Sequence, residues 1–126
     1  MSLQSFTFPA PCDLLNANQR MHWAKKARLT RDWRWTAHRR AQQASLSPLA
    51  RAHITVTLSF PDRRRRDVNN YQPTAKAIVD GLVDAGVLPD DSDAYLVGPD
   101  MRAGERSSEG WVVVTVTIEA LSEAAA

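Results

Sequence analysis

The chain has 126 residues, 44% of them hydrophobic and 24% charged, which suits one globular domain with a real core and leaves no length for a second. Its single cysteine, Cys12, and its histidines, His22, His38 and His53, which show no HxxxH spacing, rule out an internal disulfide framework and a zinc site built on Cys or His. A formal net charge of +2 and an isoelectric point of about 9.0 bear on partners rather than on fold.

The first predicted element is a short strand, Gln4 to Phe8, from the alternation in "SFTFP". Residues 10–29, "APCDLLNANQRMHWAKKARL", show no clean period and read as a long basic loop. Thr30 suits the N-cap of a first helix, in which Trp33, Ala37, Ala41 and Ala44 form one apolar stripe before "SLSP" ends it near Ser45. His53 to Phe60 alternates strictly and reads as a strand with one buried face. Pro73 fits the first turn of a second helix, with Ala75, Ile78, Val79, Leu82 and Val83 as its apolar face and Gly86 as its end. A short strand over Ala94 to Gly98, a polar connection "RAGERSSEG" and a β-branched strand from Trp111 to Ala120 follow, with a frayed tail "LSEAAA". The order β-α-β-α-β-β predicts a single α+β domain: a mixed sheet of about four strands with two helices on one face, ordered over about residues 6–118.

Charge is unevenly spread along these elements. Arg20, Lys25, Lys26, Arg28, Arg31, Arg34, Arg39 and Arg40 face one acid, Asp32, and Arg63, Arg64, Arg65 and Arg66 add a second cluster. The acids gather later, at Asp80, Asp84, Asp90, Asp91 and Asp93. A basic half with an acidic cluster suits a polyanionic substrate and a metal site, or two solvated faces. No apolar run reaches the roughly 20 residues of a membrane span, and the opening residues lack a signal pattern. A soluble cytoplasmic protein is expected.

The chemistry concentrates in "PDRRRRDVNNYQPTAKAIVDGLVDAGVLPDDSD", residues 61–93. In an extended segment Asp67 and Asn69 would aim their oxygens to one side. A strand entered from "GVLPDD" and lying beside the one before would bring Asp90 and Asp91 close to Asp67. Oxygen ligands converging there would suit magnesium or manganese. Arginines beside them would bind phosphate, and Lys76 could reach the same centre. Against this, "DVNN" and "PDDSD" can be turns, and Lys76 with Asp80 can be an exposed i, i+4 pair. Asn18 and Arg20 are phosphate-binding candidates. Trp23, beside His22, Lys25, Lys26 and Arg28, is a candidate for stacking on a base, whereas Trp33 belongs to the core stripe.

Taken together, "PDRRRRDVNN", a lysine in the next helix and "DGLVDAGVLPDD" before a short strand resemble the RusA family of Holliday junction resolvases. The upstream "LNANQRMHWAKKARLTRDWR" is similar to that family's N-terminal segment. The resemblance implies a homodimeric, magnesium-dependent endonuclease that nicks four-way DNA junctions symmetrically, in a family often found in phages and prophages. It implies catalytic roles for Asp67, Asp91 and Lys76, with Asp90 adjacent. One position departs: Asn69 stands where the family usually carries an aspartate. That lost charge leaves open a junction-binding protein with weakened or absent catalysis, or compensation by Asp93. A general single-strand or flap nuclease is the third reading.

Overall fold

The computed structural model describes residues 2–122. Its strands are β1 (Leu3–Pro9), β2 (Ala52–Ser59), β3 (Leu96–Ala103) and β4 (Val113–Ala120), and its helices are α1 (Trp23–Gln43) and α2 (Gln72–Asp84). The predicted α+β architecture is the one observed: a four-stranded mixed sheet in the order β1-β4-β2-β3. β4 is antiparallel to both β1 and β2, and β3 runs parallel to β2.

Period-two alternation decides which face is buried. Ile54, Val56 and Leu58 on β2 stand in register with Ile118, Val116 and Val114 on β4, and β4 in turn pairs with Phe6 and Phe8 on β1. All of these side chains lie in the one core, under the helices. The intervening residues, among them Thr55, Thr57, Thr115 and Thr117, form a half-exposed opposite face. Ala75, Ile78, Val79 and Leu82 of α2 are fully buried, as the apolar stripe predicts, while Val83 lies at the margin.

α2 ends as its sequence requires. Gly86 has φ +81°, and the N–H groups of Gly86 and Val87 donate to the carbonyls of Val83 and Leu82, the paired bonds of a glycine-terminated helix. Gly81 marks the closest approach of the two helices: a Cβ there would lie 2.8 Å from the Ala37 Cβ and 2.9 Å from the His38 nitrogen.

Three expectations are corrected. α1 begins at Trp23 with His22 as N-cap, seven residues before Thr30, and ends at Gln43. Its first two turns show no apolar period because they bury nothing before Leu29; such turns carry no stripe to read. β3 begins at Leu96 and continues through Pro99 to Ala103 rather than stopping at Gly98. Proline is tolerated because β3 is an edge strand, and the register with β2 shifts at this point, between His53 and Thr55. "DVNN" is not extended: Val68–Tyr71 is a single turn of 3-10 helix. Of the tail, Leu121 still donates to the Arg51 carbonyl, and residues 123–126 lie outside the described residues.

The loop of residues 10–22 is tied down rather than loose. The Leu15 N–H donates to the Thr74 hydroxyl, which donates back to the Leu15 carbonyl (2.8 and 2.9 Å). The Ala17 N–H donates to the Asn70 carbonyl, and the Trp33 indole donates to the Asp13 carbonyl at 2.9 Å. Buried backbone groups find partners in this way, and the N-terminal basic segment is thereby fixed against the start of α2.

Candidate functional site

Two of the residues singled out from the sequence meet in space. The Lys76 ammonium, on the second turn of α2, donates to the Asp80 carboxylate at 2.8 Å and also to the Asp91 carboxylate. Asp80 is there by helical spacing, at i+4. Asp91 arrives by the return of the chain after Gly86, and its N–H is held by the Asp90 carboxylate at 2.8 Å. The two carboxylates raise the lysine's pKa, Asp80 more than Asp91. Lys76 in turn holds the Asp91 carboxyl below its usual range. The result is two carboxylates sharing one cationic centre. Asp80, read from the sequence only as an exposed partner of Lys76, is part of this cluster.

Asp67 and Asn69 are not joined to it by a hydrogen bond or ion pair among the described residues. Asp67 caps the 3-10 turn, its Oδ1 accepting from the Asn69 N–H at 3.0 Å, so the turn chemistry of Asp-x-Asn overrides the extended reading. Among the described residues no three His, Cys, Asp or Glu side chains converge on a point. Asp93 is exposed.

The four-arginine run divides. Arg63, Arg64 and Arg65 are exposed. Arg66 instead grips Asp62 with both terminal nitrogens (2.7 and 3.0 Å) and lies over the Phe60 ring, 4.0 Å from its centroid. This fork depresses the Asp62 carboxyl and raises the guanidinium. Arg66 is thus engaged within the fold, whereas the side chains of Arg63, Arg64 and Arg65 are exposed.

The N-terminal candidates lie on the tied loop and the first turns of α1. Asn18 and Arg20 are exposed on the tied loop. His22 caps α1, its Nδ1 accepting from the Ala24 N–H at 3.1 Å. Trp23 is 76% exposed, and Lys25, Lys26 and Arg28 are exposed beside it. Lys25 has only a loose contact with Asp13, at 3.9 Å. α1 adds Arg31, Trp35 and Arg39 to Arg28, which was already among the candidates. Arg28, Arg31, Trp35 and Arg39, at i, i+3, i+7 and i+11, share its outer face and are exposed. The Arg39 guanidinium sits 5.8 Å from the Trp35 ring centroid, and none of the three arginines forms an ion pair among the described residues. Arg31, Trp35 and Arg39 fall on one face of the helix expected after Thr30, and the observed start at Trp23 adds Arg28 to that face.

A cleft of about 490 Å³ opens where the tied loop, the segment after β2 and the approach to β4 meet. Asp13, Asn16, Gln19, Lys25, Tyr71 and Trp111 are among its lining residues. Cys12 also faces it, with its thiol pushed up to about 11 by burial and by Asp32 and Asp13; it stays neutral and is no nucleophile.

The helices are cross-linked by Arg34 and Asp84, a two-bond fork at 2.6 and 2.8 Å, which holds the Asp84 carboxyl below its usual range. A depressed folded pKa contributes stability that is complete above the unfolded value of about 3.9 and is lost as pH falls through the folded one. Thermal unfolding followed from about pH 6 to pH 2 should therefore show a shallower acid decline for Asp84→Asn than for the wild type. Identical slopes would mean that this exposed fork contributes nothing.

No family model matches the chain. It is 31% identical over 120 residues to an uncharacterized protein of Xylella fastidiosa strain Temecula1, covering 91% of this chain and 76% of that one. Among solved structures it overlays weakly on a HypE–HypF complex, at 15% identity and a TM-score of 0.37 over 96% of this chain. A second overlay, on hydrogenase maturation protein HypE in complex with ATP, has 8% identity and a TM-score of 0.39 over 95%. This chain spans 33% and 30% of those two chains, and overlaps at that level establish no common fold.

Proposed function

This chain belongs to the family of the Xylella fastidiosa protein, and for it we propose a metal-dependent, structure-selective DNA endonuclease of the RusA type, acting on four-way junctions. The observation that carries the reading is the Lys76–Asp80–Asp91 cluster, in a chain that also exposes cations on α1 and along the arginine run. Carboxylates alone would repel a phosphodiester; here one positive centre already sits between them.

The donor set suits magnesium, or manganese in its place. Magnesium commonly takes one or two protein carboxylates and fills its remaining positions with water and substrate phosphate. Asp91 and Asp80 would hold it. When bound, the ion supplies an activated water and neutralises charge on the leaving oxygen. Lys76 stays protonated, orients Asp91, and offers its ammonium to the charge that develops on the phosphoryl oxygens. Two matched nicks need two matched sites, so the working unit is a homodimer, and we place its work in the cytoplasm.

A second reading, junction binding without cleavage, is favoured by Asn69 and by the use of Asp67 as a turn cap. One experiment separates the two. A synthetic four-way junction is incubated in magnesium and, separately, bound in chelator. Paired nicks only in magnesium are expected. Binding with no cleavage in magnesium or manganese supports the second reading, and absence of binding removes both.

Binding should weaken steeply with salt. Replacing Arg63, Arg64 and Arg65 by glutamine should lower the logarithmic salt slope by up to about 0.9 for each arginine that neutralises a phosphate. Arg66→Gln should lower thermal stability instead. A slope unchanged in the triple variant assigns that cluster to the solvated surface.

A further inference from the structure

We propose that the cleft beside Trp111 receives a single unpaired nucleotide, with Trp111 as the platform on which its base stacks. The proposal deepens the DNA reading above and rests on it, adding a site that recognises the branch itself.

The cleft's volume, about 490 Å³, lies within the roughly 300–1,000 Å³ of pockets that take small ligands. Its aromatic residues are not equivalent. Phe60 is already engaged, by Arg66 at 4.0 Å and by the tilted Tyr71 ring with centroids 5.7 Å apart. Trp111 is 52% exposed and has no aromatic or cation–π partner among the described residues. Trp33, by contrast, is wholly buried. A tryptophan left half in water at the edge of a cleft does not serve the core, and its face is free for a base.

The polar lining suits a nucleotide. Gln19 and Asn16 offer amides, and Asp13 an exposed carboxylate, to the edge of an unstacked base. Lys25, with only its loose contact to Asp13, is available to a phosphate. The cleft also sits at the right end of the molecule. Tyr71 is the N-cap of α2, and Lys76 follows five residues later, about 7.5 Å along the axis at 1.5 Å per residue. A base drawn out of a duplex must be unstacked and unpaired, at a cost that is smallest where it is already unpaired. Stacking is interrupted at a branch point, so a base there is drawn out at lower cost than one within plain duplex, and a pocket for one base favours branch points without reading sequence.

The test is made in chelator, with a four-way junction, a plain duplex, and a duplex carrying one unpaired 2-aminopurine. Wild-type binding should quench the 2-aminopurine emission. Trp111→Ala should abolish the quench and reduce the junction-to-duplex affinity ratio on the order of tenfold, with duplex binding unchanged. Trp111→Leu, which keeps apolar bulk without the ring, should behave like Trp111→Ala and guards against a folding defect. An unchanged quench and ratio in the folded Leu variant overturns the proposal. A wild type that binds DNA and never cuts leaves this proposal standing while the nuclease reading falls; a wild type that binds no DNA removes both.

Discussion

Asp91→Asn is expected to reduce cleavage of a four-way junction by on the order of 10³-fold and to leave junction binding in chelator intact or tighter. Asp91 is ionised throughout the useful pH range, because Lys76 holds its carboxyl low. It is also the carboxylate of the cluster that no local spacing supplies, being 15 residues from Lys76. Its loss removes one of the two anions that share the cationic centre, and a hard cation loses affinity with each charged oxygen withdrawn. Phosphate repulsion falls at the same time, so binding does not suffer. Lys76→Ala should cost on the order of 10²–10³ in rate, as removal of one preorganised charge does, with a smaller change in the magnesium midpoint. A magnesium titration of cleavage for wild type and both variants decides the matter. An Asp91→Asn protein that still cuts at the wild-type rate places the active site elsewhere.

Trp33→Ala should destabilise the fold by about 3–5 kcal/mol, the range for truncating a buried large aromatic. Trp33 is wholly buried and lies against Phe8, with ring centroids 6.3 Å apart. Its indole N–H also holds the Asp13 carbonyl, so the same change releases the loop that walls the cleft. Denaturant unfolding should show a lower midpoint with an unchanged slope, the signature of lost stability rather than a changed unfolded state. A loss under about 1 kcal/mol would mean that the site collapses around the smaller side chain.

Several elements were legible in the residues themselves. The strict alternation of β2, the apolar stripe of α2 and its Gly86 terminus each encode burial in a local period, and the structure matches them within a residue or two. The uneven charge was legible too, since it needs no geometry. Other features depend on neighbours that no local pattern names. The first turns of α1 bury nothing, so they carry no stripe, and only the packing of Leu29 onward anchors them. β3 runs through Pro99 because it is an edge strand, a fact about sheet order rather than about residues 96–103. Arg66 differs from its three neighbours because Asp62 and Phe60 engage its guanidinium. Asp67 and Asn69 do not extend because the short aspartate side chain accepts from a backbone N–H two residues on, and that bond closes a turn where alternation alone would extend the chain. Lys76 meets Asp80 by helical spacing, which the sequence determines by itself. It meets Asp91 because the chain turns at Gly86 and comes back along α2, and only the folded chain decides where that return passes.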